Sequence, residues 1–299
     1  MNGQQNVVCA APESMGGECA QGLPESAVPQ PAEAARLDAL RAALCRQPVV
    51  VAFSGGLDSR FLAFTARQAG ADVLLVHAAG PHVPPQEQAH AQRWAAQQRL
   101  PLLLVPYNPL TLDGVRNNSR QRCYACKREL FACVRATLEA HGLGACRLCD
   151  GTHAGDLLVW RPGLRALREA GVWSPLAEAG LDKAALRRLA RACGMDNPEQ
   201  RARPCLLTRL AYGLTPDAAT LARVAAAEEA VAAALARAGA HADFRLRLTP
   251  APVLQCTPLT AAQRTAALAA LTAQGYAHTA LREEADISGF FDRQPPPVF

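Results

Sequence analysis

A short apolar run that ends in a Ser-Gly-Gly turn constrains the fold of this chain more than any other stretch. Residues 49–53 are β-branched or aromatic except for one alanine, which predicts a buried strand, and residues 57–68 predict a helix. Glycine lets the backbone approach a ligand closely, and the first N–H groups of a helix lack partners within it. The turn therefore predicts an anion site, to which the hydroxyl groups of Ser54 and Ser59 add two donors.

The residues of this turn also narrow its chemistry. A Walker-type lysine is absent from the loop, so kinase or GTPase chemistry is not indicated. The hexapeptide SGGLDS at residues 54–59 resembles the pyrophosphate loop of the ATP pyrophosphatase superfamily, although Arg60 follows it where the family has a small residue. The resemblance implies cleavage of ATP between its α and β phosphates, with Mg²⁺ bridging the phosphates near Asp58. It assigns nucleotide binding to Ser54, Gly55, Gly56, Asp58 and Ser59.

Composition and charge bound the remaining possibilities. The chain has 299 residues, of which 50% are hydrophobic and 19% charged, enough for one large or two modest globular domains. Its formal net charge of +5 comes from arginines spread along the chain, which suits a small anionic substrate better than nucleic acid. The sequence shows neither a signal peptide nor a membrane span, so we expect a cytoplasmic protein whose 11 cysteines are mostly reduced.

Strands and helices alternate through the first two thirds of the chain. This order predicts an α/β fold, a parallel sheet with helices on both faces and ligands at the carboxyl ends of its strands. The further predicted strands are residues 73–78, 102–105 and 146–150, and the further predicted helices are residues 36–46, 86–98, 123–140 and 182–193.

The last third of the chain has a different pattern. A long alanine-rich helix at 216–238 precedes a strand–strand–helix–strand order, which predicts a smaller α+β domain. Its predicted elements are strands 244–248, 253–256 and 276–281 and a helix at 260–274. The predicted domains are a flexible N-terminal tail at 1–34, a nucleotide-binding α/β domain at 35–214, a C-terminal α+β domain for substrate binding or oligomerisation at 215–293, and a disordered tail at 294–299.

Three cysteines form a second candidate centre. Cys123 and Cys126 lie three residues apart at the start of a predicted helix, whose N terminus favours the thiolate that binds metals. Cys205 is a third candidate ligand, and three thiolates suit a [4Fe-4S] cluster with one open iron. A buried cysteine pair or half of a zinc site remains the alternative. A second CxxC, Cys146 and Cys149, lies on a predicted strand, where the two side chains point to opposite faces and favour packing.

A longer series of segments resembles one family. In chain order these are Asp150-Gly151-Thr152, Arg161-Pro162-Gly163, Glu169, Ser174-Pro175-Leu176, Cys205, Arg209 and Tyr212-Gly213. Over residues 37–248 the chain is similar to LarE-type sulfur transferases. The resemblance implies that ATP adenylates a carboxylate of a nicotinate-derived mononucleotide and that sulfur displaces AMP, on the route to a nickel-pincer cofactor. It also implies a homo-oligomer and an external sulfur donor, such as sulfide.

The resemblance also implies roles for individual residues. It implies catalysis by Cys205, Asp58 and Arg209, and nucleotide binding by Lys127 and Gly151. It further implies that Arg245 and Arg247 bind the substrate phosphate, that Glu228 is a functional acid, and that Cys123, Cys126 and Cys205 ligate a [4Fe-4S] cluster. Some members of the family instead sacrifice the sulfur of one cysteine. The chain departs from the family at residues 253–256 and 286–291, which leaves the acceptor open.

Two other functions fit the same sequence. A tRNA thiolase also combines a pyrophosphate loop with three cysteines, but the chain has no basic-aromatic patch or added RNA-binding domain. A non-catalytic nucleotide-binding module, with structural cysteines, is the second alternative. Conversion of ATP to AMP separates an enzyme from such a module.

Overall fold

The computed structural model describes residues 28–159 and 161–292, and within these ranges it has an α/β unit followed by a smaller mixed unit. The strands of the first unit are β1 (Val49–Ala52), β2 (Val73–Ala79), β3 (Leu102–Pro106) and β4 (Arg147–Asp150). Its helices are α1 (Pro31–Leu44), α2 (Leu57–Gln68), α3 (Pro85–Gln97), α4 (Asp113–Arg116), α5 (Arg122–Ala140), α6 (Pro162–Glu169), α7 (Pro175–Glu178) and α8 (Lys183–Ala192).

The first sheet has the order β3-β2-β1-β4, and all of its strands are parallel. Val49 and Val51 of β1 pack into a core with α1, α2 and α8, whereas Val50 packs into a second core with α5 and α6 on the opposite face. Both faces are therefore buried, as the apolar run of β1 requires. This confirms the predicted α/β class with helices on both faces.

The same alternation of faces separates the two cysteines of the second CxxC. Cys149 is fully buried in the core on the α2 side of the sheet, whereas Cys146 packs against the core on the α5 side. The interpretation of this pair as packing residues on opposite faces is confirmed.

The second unit consists of α9 (Ala218–Arg237), β5 (Phe244–Arg247), β6 (Val253–Cys256), α10 (Ala261–Ala273) and β7 (Ala280–Glu283). Its sheet has the order β5-β6-β7, with β5 antiparallel and β7 parallel to β6. The predicted α+β character of this region is confirmed.

The last strand was predicted in the wrong place, at residues 276–281. Gly275 has φ +85, and the N–H groups of Gly275 and Tyr276 donate to the carbonyls of Thr272 and Leu271. This is the hydrogen-bond pattern of a Schellman motif, so Tyr276 closes α10 instead of beginning a strand. β7 begins only at Ala280, where it pairs with β6.

The start of the described region is also helical. α1 begins at Pro31, within the segment predicted as a tail, because Gln30 and Glu33 form a capping box and proline suits the first helical position. Residues 1–27 and 293–299, which include the rest of that tail and the predicted disordered C terminus, lie outside the described residues. Within the described ranges, no helix combines the length and the apolar character needed to cross a bilayer.

Candidate active site

The Ser-Gly-Gly loop lies at the carboxyl edge of the parallel sheet, between β1 and α2. Gly55 has φ +76, and a Cβ atom there would lie 3.0 Å from Cβ of Ala91 on α3, so both conformation and packing require glycine. Gly56 is the N-cap residue of α2, and no side chain caps this helix. Its first N–H groups are therefore available to an anion.

The two serines of the loop contact each other. Ser54 Oγ lies 3.1 Å from Ser59 Oγ, and Ser59 Oγ also donates to the carbonyl of Gly56 at 3.1 Å. In this arrangement the hydroxyl protons of Ser54 and Ser59 are engaged within the loop, so the donor role predicted for them requires the hydroxyl groups to rotate toward the ligand.

Asp58 and Gly151 bring two further elements to the loop. A Cβ atom at Gly151, directly after β4, would lie 2.8 Å from the backbone nitrogen of Ser59, so β4 ends against the first turn of α2. Lys183, the first residue of α8, donates to both carboxylate oxygens of Asp58 at 2.6 and 2.8 Å. The fold therefore places a lysine beside a loop whose own sequence has none. Sequence reasoning did not find Lys183, because nothing in its local pattern distinguishes it.

Lys127, predicted to bind the nucleotide, lies in the second turn of α5 and faces α6. A Cβ atom at Gly163 would lie 2.7 Å from Cδ of Lys127, so the lysine stem packs on that glycine. Among the described residues, its ammonium group forms no hydrogen bond or ion pair. Its positive charge favours the thiolate of the neighbouring Cys126.

The three candidate thiols lie within electrostatic reach of one another. Burial, together with charge on Cys205 and Cys123, raises the pKa of Cys126 to about 12, although the hydrogen bond from Tyr107 opposes the rise. Burial also raises the pKa of Cys205, as does Cys123, whereas Arg122 and Arg209 oppose the rise. Across residues 28–159 and 161–292, no three His, Cys, Asp or Glu side chains are arranged to hold a single metal ion. Ligation of a [4Fe-4S] cluster by Cys123, Cys126 and Cys205 stays a prediction.

Tyr107, the residue directly after β3, contacts Cys126 near the start of α5. Its hydroxyl group donates to the carbonyl of Cys126 at 2.6 Å and lies 3.6 Å from the Sγ atom. The ring packs edge-on against His82, whose carbonyl accepts from the N–H of Leu206, directly after Cys205. Tyr107 and His82 thus connect the two segments that carry the three thiols, and neither was singled out from the sequence.

Arg209 and Glu228 form a buried ion pair. Arg209 Nε and Nη2 donate to the two carboxylate oxygens of Glu228 at 3.0 and 2.9 Å, and Nη1 donates to the carbonyl of Pro204 at 2.7 Å. Glu228 also accepts from the N–H of Leu246 at 2.9 Å. Glu228 is therefore a bridge between the two units, whereas its neighbour Glu229 is outside this network and accepts from Gln86.

We expect Glu228→Ala to lower the free energy of unfolding by about 3 kcal/mol, because it leaves Arg209 charged and uncompensated and the N–H of Leu246 unsatisfied. Side-chain exposure is 3% for Arg209 and 14% for Glu228, so water cannot fully replace the lost partner. Glu229→Ala is the matched control and should change stability by less than about 0.5 kcal/mol. Urea unfolding measures both, and equal effects for the two variants would contradict the role given to Glu228.

The two arginines predicted to bind substrate phosphate have different surroundings. Arg247 is 3% exposed and donates to the carbonyls of Thr208 and Ile287 at 2.7 and 2.8 Å and to Gln255 Oε1 at 2.8 and 2.9 Å. Its guanidinium carbon also lies 5.3 Å from the ring centroid of Phe290. The partners Gln255, Ile287 and Phe290 all lie in the stretches where the sequence departs from the family. Protein atoms therefore engage most of the donors of Arg247.

Arg245 retains an unpaired donor. Its Nη2 atom donates to the carbonyl of Ala202 at 2.9 Å, but its buried Nη1 atom has no partner. Burial lowers the pKa of Arg245 to about 10 and that of Arg247 to about 9, and the charge of Arg209 contributes to both shifts. Both side chains stay protonated at neutral pH, so this region holds excess positive charge that an anion would offset.

Comparison with known proteins finds relatives that match part of this chain. No protein-family model matches the chain. An uncharacterized protein of Synechocystis is 33% identical over 180 residues, which are 60% of this chain and 66% of that protein. An uncharacterized protein of Methanocaldococcus jannaschii is 27% identical over 164 residues, which are 55% of this chain and 61% of that protein.

A third relative carries a functional name. The pyridinium-3,5-bisthiocarboxylic acid mononucleotide synthase of Lactiplantibacillus plantarum is 32% identical over 185 residues, which are 61% of this chain and 66% of that protein. The chain is similar to a thiocarboxylic acid synthase. It spans slightly less than two thirds of the length of these relatives.

Proposed function

We propose that this protein is a LarE-type, ATP-dependent sulfur transferase. It adenylates a carboxylate of a nicotinate-derived mononucleotide and replaces the AMP with sulfur, in the biosynthesis of the nickel-pincer cofactor. The observation that carries the proposal is the SGGLDS loop at the carboxyl edge of the sheet, followed by a helix that no side chain caps. Over 185 residues, the same chain is 32% identical to a synthase of a thiocarboxylic acid mononucleotide. The described cysteines are all free, which suits a reducing compartment such as the cytoplasm.

The loop serves the first half of the reaction. A carboxylate oxygen attacks the α phosphorus of ATP, the bond to the bridging oxygen breaks, and pyrophosphate leaves with the electron pair. The N–H groups at the start of α2 hold the phosphates, and Lys183 supplies positive charge beside them. Asp58 would help to hold Mg²⁺, which would offset phosphate charge, and would do so in competition with Lys183, which donates to both of its carboxylate oxygens. The work of these residues is positioning and charge stabilisation.

The cysteines serve the second half. A sulfur nucleophile attacks the acyl carbon, and AMP leaves with the carboxylate oxygen that it received. Cys123, Cys126 and Cys205 would hold a [4Fe-4S] cluster, which supplies a hydrosulfide on its open iron when bound. Because burial holds the thiols of Cys126 and Cys205 protonated, ligation must release protons, and Arg122 and Arg209 favour the thiolate at Cys205. The free Nη1 atom of Arg245 suits the phosphate of the acceptor.

Nucleotide analysis tests this function. Purified protein is incubated with ATP, Mg²⁺, sulfide and a carboxylated pyridine mononucleotide, and AMP and pyrophosphate are quantified. We expect both in equal amounts, and only when the acceptor is present. Formation of AMP with bulk tRNA as the sole acceptor would favour a tRNA thiolase instead. Absence of ATP turnover with any acceptor would favour a non-catalytic nucleotide-binding module.

A further inference from the structure

Arg60, the residue directly after the SGGLDS loop, is fully buried inside the α/β unit. A buried guanidinium group is costly unless its charge and its donors are satisfied. Its Nη2 atom lies 2.6 Å from Asp196 Oδ2 and donates to the carbonyl of Asp196 at 2.5 Å. Its Nη1 atom donates to Gln200 Oε1 at 2.6 Å, and the guanidinium carbon lies 5.4 Å from the ring centroid of Trp94. The Nε atom has no partner, so the contacts of Nη1 and Nη2 and the ring of Trp94 hold the guanidinium group in one orientation.

Gln200 connects Arg60 to the loop. An arginine can only donate, so Gln200 must direct its carbonyl oxygen toward Arg60 and its amide nitrogen away from it. That nitrogen donates to the carbonyl of Gly55 at 3.0 Å. Because Arg60 occupies the amide oxygen of Gln200, the amide nitrogen is the atom that contacts the loop.

The carbonyl of Gly55 belongs to the same peptide unit as the N–H of Gly56. In a planar trans peptide the two groups point in opposite directions, so fixing one fixes the other. With its carbonyl bound to Gln200, this peptide directs the N–H of Gly56 to the opposite side, where it lies 3.3 Å from Ser54 Oγ inside the loop. The orientation of the peptide that joins Gly55 to Gly56, and with it the N–H that donates to Ser54 Oγ, thus depends on the side chain of Arg60.

We infer that Arg60 is a positioning residue that orients the pyrophosphate loop through Gln200. Asp196 balances the charge of Arg60, so the contribution of Arg60 is orientation more than attraction of phosphate. The expected effect of Arg60 on the rate of AMP formation rests on the proposed function. Its expected effect on the conformational stability of the loop does not.

Gln200→Glu tests the connection at its last step. The new carboxylate still accepts from Arg60, which keeps it ionised, but it cannot donate to the carbonyl of Gly55. Gln68→Glu is the matched control, because Gln68 also accepts from an arginine, Arg41, and donates to a backbone carbonyl, that of Cys193, but does so at the opposite end of α2 from the loop. Gln68 is exposed, so water replaces the lost donor.

Two measurements are made on each variant. Hydrogen exchange of a peptide covering residues 53–58 should be at least about fivefold faster in Gln200→Glu than in wild type, and unchanged in Gln68→Glu. The kcat for AMP formation should fall about tenfold or more in Gln200→Glu, with KM for ATP within about threefold, because a misoriented loop impairs in-line attack more than binding.

Equal exchange in Gln200→Glu and Gln68→Glu would overturn the inference, as would faster exchange with an unchanged kcat in an active enzyme. If wild type forms no AMP, the proposed function fails and the exchange comparison alone decides the inference.

Discussion

Gly56→Val is expected to reduce conversion of ATP to AMP by about 1,000-fold or more in a protein that remains folded. Gly56 has φ −77 and ψ 166, which a β-branched residue adopts readily. A Cβ atom there would have Ser54 Oγ as its nearest neighbour, at 3.4 Å, so the protein itself tolerates the side chain. The added methyl groups would instead fill the space above the start of α2 that the phosphates need.

Two further glycine variants test whether the loss of activity is specific to Gly56. Gly144 lies on an exposed turn, where a Cβ atom would come within 4 Å of Glu139 alone, so Gly144→Ala should be as active as wild type. Gly55→Ala should lower stability as well as activity, because Gly55 combines positive φ with a 3.0 Å approach to Ala91. Circular dichroism and thermal unfolding check the fold, and pyrophosphate release measures activity. Release at an unchanged rate by Gly56→Val would refute the nucleotide site.

Replacing Cys123, Cys126 or Cys205 by serine should remove most of the iron that the protein takes up. Anaerobic reconstitution of wild type should give about four irons per chain with the broad visible absorption of a cubane, because three thiolates bind three of the irons. Cys146→Ser is the control, since that thiol belongs to the other CxxC and packs on the core beside α5. Iron content and visible spectra of all four variants are compared with those of wild type.

Mass spectrometry separates the cluster from a sacrificial cysteine. If Cys205 gives up its own sulfur, the protein turns over once without iron and becomes lighter by the mass of H₂S, with dehydroalanine at position 205. Tight zinc binding, no iron and an unmodified chain would contradict both sulfur-transfer mechanisms and leave the cysteines structural.

Features set by local chain geometry could be predicted from the sequence. The strand–loop–helix of residues 49–68, the parallel sheet and the separation of Cys146 from Cys149 all follow from periods of two or 3.6 residues and from glycine. Tyr276 shows where this logic fails, because its N–H donates to the carbonyl of Leu271 in the Schellman motif that ends α10, and it does not begin a strand.

Contacts between distant segments could not be predicted from any local pattern. The partner of Asp58, Lys183, is 125 residues away in sequence, and that of Arg60, Gln200, is 140 residues away. Arg245 and Arg247 were correctly predicted to share a strand, but their different availability depends on Gln255 and on the segment around Ile287, which fold onto β5 from later in the chain. Only the folded structure distinguishes Arg247, whose donors are engaged by protein atoms, from Arg245, which has a free donor.

The fate of one oxygen atom tests the central claim most directly. A pyridine mononucleotide whose carboxylate carries oxygen-18 is incubated with the protein, ATP, Mg²⁺ and sulfide, and both products are weighed by mass spectrometry. If the carboxylate is adenylated and sulfur then displaces AMP, the AMP carries one labelled oxygen and the acceptor has sulfur in its place. Unlabelled AMP, release of ADP, or an acceptor that keeps both labelled oxygens would contradict the account.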